Sequence, residues 1–202
     1  MSREIIAILR GVTPDQVLGI GQALVEAGID RIEVPLNSPE PLRSIETLAN
    51  GLAGQAQVGA GTVLSPEDVD AVQAAGGTLI VSPDCNPVVI EHSKAKGLIS
   101  LPGVMTPTEC FTALRCGADG LKFFPGTLIG PDGLKAIKAV LPKEAKTYAV
   151  GGAEAGNFTD WFAVGVTGFG IGSALYKPGL TAADVATRAA AIVAAYDKGK
   201  AA

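Results

Sequence analysis

Eight short apolar, β-branched runs mark the chain: Ile5–Arg10, Arg31–Pro35, Gln57–Thr62, Thr78–Pro83, Leu98–Pro102, Gly120–Pro125, Thr147–Gly151 and Gly168–Gly172. Each leads into Gly, Pro, Ser or Thr and then into an Ala/Leu-rich stretch with helical spacing. Starts recur roughly every 20–28 residues, the rhythm of strands alternating with helices. Helix boundaries are written in the same code. Thr13-Pro14-Asp15 sets a capping residue before a proline at the first helical position, and Ala27-Gly28 ends that helix. Ser65-Pro66-Glu67 opens another that stops at Gly76-Gly77, and Thr106-Pro107-Thr108-Glu109 opens a third that stops at Gly117. In that third helix Phe111 and Leu114 predict an apolar stripe flanked by Arg115. Eight such units with no linker or composition break predict one α/β domain over 1–202, a closed (β/α)8 TIM barrel. An open doubly wound sheet is the alternative, but its connections are usually less even. The first strand starts almost at once, which leaves little chain to plug the barrel floor.

Composition narrows the picture. With 48% hydrophobic and 18% charged residues in 202, the chain has enough apolar content for a full core and is not a disordered polymer. A net charge of −4 supplies no basic surplus, so neither nucleic acid nor a membrane surface is an expected partner. The apolar start Ile5 to Leu9 is cut by Arg10 too soon for a signal-peptide core, and Ala189 to Tyr196 is far short of a membrane span. Cys85, Cys110 and Cys116 form no CxxC pair and are odd in number, so a disulfide scaffold is not expected and a reduced cytoplasmic setting is. They are expected as buried fillers.

In such a barrel the chemistry sits at the C-terminal strand ends. The polar or unusual residues there are Arg10, Glu33, Thr62, Ser82, Lys122, Gly151, Gly152, Gly172 and Ser173. Strand alternation places two of them. Gly120, Lys122 and Phe124 share one face of the sixth run, with Leu121 and Phe123 on the other; in the second run Glu33 opposes Ile32 and Val34. The helix-facing side must be apolar, so Lys122 and Glu33 point into the barrel. The second and sixth strands lie opposite each other in an eight-strand ring, and the two groups can face across the mouth. An inward charge is costly unless paired or used. Two readings stand: a structural ion pair, with Arg10 joining, or an amine nucleophile served by a carboxylate acid/base. An apolar pocket lowers a lysine pKa and lets it form a Schiff base with a ketone; Phe123 and Phe124 beside Lys122 fit that.

Gly151-Gly152 and Gly170-Ile171-Gly172-Ser173 follow the last two strands, where barrels commonly bind phosphate on bare backbone N–H groups. The plainer reading is tight turns. His92, the only histidine, is expected as a surface or cap residue, and Trp161 with Phe158 and Phe162 as helix packing. No His/Cys/Asp/Glu set has metal-ligand spacing, so neither metal nor cofactor is expected.

Several segments together carry a resemblance. These are Ile6-Ala7-Ile8-Leu9-Arg10-Gly11, Ile32-Glu33-Val34-Pro35-Leu36-Asn37-Ser38-Pro39, Val58-Gly59-Ala60-Gly61-Thr62-Val63-Leu64, Leu101-Pro102-Gly103, Leu121-Lys122-Phe123-Phe124-Pro125, Val150-Gly151-Gly152 and Gly170-Ile171-Gly172-Ser173. The chain resembles, over nearly its whole length, the 2-keto-3-deoxy-6-phosphogluconate/6-phosphogalactonate aldolase family. The Gly-Ala-Gly-Thr-Val-Leu and Lys-Phe-Phe-Pro segments are its specific marks. The resemblance implies a class I aldolase, typically a homotrimer, that cleaves a phosphorylated 2-keto-3-deoxy sugar acid to pyruvate and glyceraldehyde 3-phosphate. By the same resemblance Lys122 is the Schiff-base lysine and Glu33 the acid/base. Arg10 and Thr62 match residues at the carboxylate, and Gly151, Gly152, Gly172 and Ser173 match the phosphate end. Asn37-Ser38-Pro39 and Val150 look like the galactonate branch, since a valine withdraws a hydrogen bond that a threonine could give to a substrate hydroxyl. The gluconate-specific aldolase is the runner-up. A phosphosugar isomerase or epimerase on the same fold and a non-catalytic binding barrel are the alternatives from other classes. Ala153-Glu154 departs from the family pattern, where a larger apolar residue is expected after the glycine pair.

Overall fold

The computed structural model describes residues 3–202. In chain order the elements are β1 (Ile5–Ile8), α1 (Pro14–Glu26), β2 (Arg31–Pro35), α2 (Pro41–Gly51), β3 (Gln57–Gly61), α3 (Pro66–Ala74), β4 (Leu79–Val81) and α4 (Pro87–Ala95). They continue with β5 (Ile99–Leu101), β6 (Gly103–Val104), α5 (Pro107–Arg115), β7 (Leu121–Phe123), α6 (Gly126–Lys138), β8 (Thr147–Val150), α7 (Phe158–Ala163), β9 (Gly168–Ile171) and α8 (Ala182–Ala201). The strands are parallel and run β5-β4-β3-β2-β1-β9-β8-β7-β6.

Each of the eight apolar runs contains a strand, and the fifth contributes a second one beyond its end. Pro102 has no N–H and interrupts that ladder. The ring closes through the break: Leu101 pairs with β4, Gly103 pairs with β7, and the Pro102 carbonyl accepts from the Lys122 N–H at 2.9 Å. Counting β5 and β6 as one bent strand gives the eight-strand barrel, with β2 and β7 on opposite sides.

Of the three helix starts read from capping residues, two are capped by the side chain and one is not. Helices α1 to α5 each begin on a proline. Ser65 caps the Asp68 N–H, and Thr106 and Glu109 form a reciprocal capping box. Thr13 holds the N-cap position of α1 without a side-chain cap; its hydroxyl bonds the Gln16 side chain at 3.3 Å instead. In α5 the deeply buried positions are Cys110 and Ala113, while Phe111 and Leu114 only flank the core.

Two apolar layers result. The outer one, between barrel and helices, takes Ile32, Val34, Leu121 and Phe123. The inner one fills the barrel with Ile6, Leu79, Val81, Leu101, Tyr148 and Val150. Below it, at the N-terminal strand ends, the floor carries a cavity of about 300 Å³ lined by Arg31, Lys146 and Tyr148 among others. Here Arg31 pairs with Glu4, and the Tyr148 hydroxyl donates to Glu4 Oε2 at 2.8 Å. Glu4, just before β1, thus ties the floor to β2 and β8.

Phe158 stacks on Phe169 and Trp161 is buried, as helix packing requires. His92 lies in the last turn of α4 with Nε2 2.9 Å from Asp70 Oδ1. All three cysteines are free, but only Cys110 is fully buried; Cys85 and Cys116 are half-buried, because the first lies in a loop and the second at a helix C-cap. No helix among the described residues is long and apolar enough to cross a membrane.

Candidate active site

Because Ile32, Val34, Leu121 and Phe123 fill the outer layer, Glu33 and Lys122 turn inward, 2% and 7% exposed. They lie in the wall of a cavity of about 250 Å³ that opens at the C-terminal strand ends. Arg10 enters from the end of β1 and Thr62 from the end of β3. Val150, Gly151 and Gly152 line it from β8 and the turn after it; Gly172 and Ser173 follow β9. The nine residues singled out as site residues thus surround one space. Ser82, although at a strand end, is buried and does not line it.

The electrostatics of the central pair are set by dryness. Burial pushes the Glu33 carboxyl up to about 7, against the pull of the Lys122 and Arg10 charges and a hydrogen bond from the Gly61 backbone. A Cβ at 61 would overlap the Glu33 carboxylate, so the glycine leaves that carboxylate its place. Oε2 of Glu33 is buried with no hydrogen-bond partner. Burial lowers Lys122; the Glu33 and Asp84 charges oppose that and the Arg10 cation adds to it. Its Nζ sits 4.8 Å from the Phe124 ring centroid. Among the described residues the ion pairs involve other groups, so no direct bridge closes between Lys122 and Glu33. An acid shifted up facing a base shifted down is an arrangement in which a proton moves between them at small cost.

The rim is held by its loops. Arg10 Nη1 donates to Asn37 Oδ1 at 2.5 Å, and the Gly11 N–H donates to Ser38 Oγ at 3.0 Å. Thr62 sits at φ 58, a left-handed backbone costly for a β-branched residue and sustained by the surrounding fold. Across the mouth Gly151 and Gly152 both have φ +83. At Gly152 a Cβ would collide with Thr127 at the start of α6. Ala153 is buried and Glu154 exposed, and both line the cavity.

Sequence reasoning missed Ile8, Pro83 and Ala174 as lining residues, and Asn157, whose side chain bonds the turn after Gly152. Apolar lining residues carry no chemical mark. Asn157 did carry one, an Asn directly before a helical stretch, but its reach backward is a tertiary fact. Among the described residues no three His, Cys, Asp or Glu side chains cluster to hold a metal ion.

The family model for KDPG and KHG aldolase matches residues 1–191. A Rhizobium meliloti (strain 1021) protein named "Probable 2-dehydro-3-deoxy-6-phosphogalactonate aldolase" is 50% identical over 197 residues, covering 98% of this chain and 93% of its own. The "2-dehydro-3-deoxy-6-phosphogalactonate aldolase" of Escherichia coli (strain K12) is 45% identical over 192 residues, 95% and 94% of the two chains. A solved structure described as "Native KDPGal structure" superposes with a TM-score of 0.98 at 43% identity, covering 100% of this chain and 98% of that one.

Proposed function

The chain belongs to the KDPG and KHG aldolase family, and from that premise we propose a Schiff-base aldolase that cleaves 2-dehydro-3-deoxy-6-phosphogalactonate to pyruvate and glyceraldehyde 3-phosphate. The observation that carries the reading is the buried, unbridged Lys122 facing Glu33 inside one cavity.

The chemistry follows from that pair. Burial lowers Lys122 and so favours its neutral amine, whose Nζ lone pair attacks the C2 ketone. The carbinolamine loses water to give an iminium. Glu33, with a pKa near 7, takes the C4 hydroxyl proton directly or through a water. The C4–O electrons form the aldehyde as the C3–C4 bond breaks, and that bond pair flows into the iminium to leave an enamine. Protonation at C3 and hydrolysis release pyruvate and return the Lys122 amine. The iminium acts as the electron sink, so the sequence of steps runs on this chain's own groups.

Arg10 and Thr62 take the carboxylate end; a guanidinium suits a bidentate carboxylate. Gly151, Gly152, Gly172 and Ser173 take the phosphate. Val150 stands beside Gly170, where a Cβ would come within 2.7 Å of it, and offers the C4 hydroxyl no hydrogen bond. That, with the names of the two relatives, supports the galactonate epimer. Cleavage assays of both epimers in parallel test it. The account expects kcat/KM for the galactonate epimer to lead by about tenfold or more, a difference of ~1.4 kcal/mol at the transition state. Preference for the gluconate epimer overturns the substrate assignment and leaves the lysine chemistry standing. The homotrimer rests on family resemblance, and sedimentation equilibrium reading a single trimeric species tests it.

A further inference from the structure

Asn157 occupies the N-cap position of α7, yet its side chain makes no cap bond to that helix. An Asn in this place ordinarily accepts from the N2 or N3 backbone N–H. Here the amide is turned the other way. Nδ2 donates to the Gly152 carbonyl at 2.8 Å, and Oδ1 accepts from the Glu154 N–H at 3.0 Å. One side chain therefore ties both sides of the turn that follows the glycine pair. The Asn157 N–H also closes the turn on the Glu154 carbonyl at 3.0 Å and Ala153 is buried, but only the side-chain amide reaches the Gly152 carbonyl. Glu154, Ala155 and Gly156 are exposed, and a Cβ at Gly156 would meet nothing within 4 Å. Asn157 itself is well anchored: its neighbour Phe158 is buried and stacks on Phe169 of β9 at 4.2 Å.

We propose that Asn157 is a positioning residue, clamping the Gly152–Glu154 turn so that the backbone of the glycine pair is held ready for the phosphate. The proposal rests on the reading above that Gly151 and Gly152 receive that group. Both glycines have positive φ and are free to move between backbone states, so a fixed donor geometry there needs an outside restraint. The amide is suited to the task because it must donate to one backbone group and accept from another; a carboxylate of the same size can only accept.

The test is run in the condensation direction, with pyruvate and either glyceraldehyde 3-phosphate or unphosphorylated glyceraldehyde. For Asn157→Ala the KM for the phosphorylated aldehyde should rise about tenfold, with kcat changed less than about twofold. KM for glyceraldehyde should stay put, and the Ki of inorganic phosphate should rise in step. Asn157→Asp preserves size and the Glu154 bond but loses the donor to Gly152, so it should show the same split in a protein that packs normally. A lowered Tm in both variants with unchanged phosphate dependence would make Asn157 a structural residue only and overturn the proposal. Should the unaltered protein fail to prefer the phosphorylated aldehyde, the phosphate reading falls, and this inference with it.

Discussion

The two ends of the barrel each bury an acid near a base, and they treat the pair in opposite ways. At the floor, Arg31 and Glu4 are bridged and Tyr148 adds a hydrogen bond. Burial pushes Glu4 up, but hydrogen bonds from Arg31 and Tyr148 outweigh it and hold the carboxyl below its ordinary value. Burial lowers Arg31, yet Glu4 keeps it raised. At the mouth, Glu33 and Lys122 are drier and unbridged, and burial wins at both: Glu33 rises to about 7 and Lys122 falls. The floor pair is locked in its charged form and can only hold strands together. The mouth pair is left unsatisfied, with the carboxyl pushed up and the amine pushed down, the condition that the proposed chemistry requires. A charge inside a barrel is therefore not informative by itself; whether its neighbours satisfy it separates scaffold from chemistry.

The comparison breaks most sharply at Lys122. Lys122→Met removes the amine while keeping the stem's packing, and cleavage should fall by roughly a thousandfold or more. A coupled assay of pyruvate release, with circular dichroism to confirm the fold, reads this. Glu33→Gln keeps shape but not proton transfer, and should cost about a hundredfold or more in kcat. The unaltered enzyme should lose kcat/KM as pH falls through about 7, where Glu33 gains its proton. In Glu33→Gln that limb should be gone from the pH–rate profile.

At the floor the readout is stability rather than rate. Glu4→Gln should destabilise the fold by roughly 1–3 kcal/mol, by loosening a half-buried charged network, and leave kcat within about twofold. The pH slopes give the finest contrast. Glu4 is depressed in the fold, so its contribution is present above its ordinary value of 4.5 and lost as pH falls through the lower folded value. Glu33 is raised, so the sign reverses: its contribution is complete below 4.5 and lost as pH rises through about 7. Denaturant titrations across pH should therefore show Glu33→Gln gaining relative stability on the alkaline side, and Glu4→Gln losing its acid-side slope.

Much of this was legible in the sequence for a physical reason. Period-2 alternation in Arg31–Pro35 and Leu121–Phe123 is a direct record of which side faces helices, so the inward direction of Glu33 and Lys122 could be read without coordinates. Proline and capping residues fixed helix starts in the same local way. What escaped was tertiary. The interruption at Pro102 became a second strand only because β7 lies beside Gly103. The floor cluster joins Glu4, Arg31 and Tyr148 from three distant positions, none of which carries a local signature. Asn157 stands at the N-cap position of α7 yet bonds the turn before it, and its partners are set by the turn it faces. Cys85 and Cys116 are less buried than their residue type suggests, because they end or precede helices rather than lie within them.

The central claim is that Lys122 forms a covalent imine with the keto acid. Incubation with pyruvate and borohydride, followed by peptide mass mapping, tests it most directly. The account predicts one reduced pyruvyl adduct, on Lys122, absent from Lys122→Met and absent without borohydride. A folded protein that binds pyruvate yet yields no adduct, or one whose adduct lies on another lysine, would contradict it.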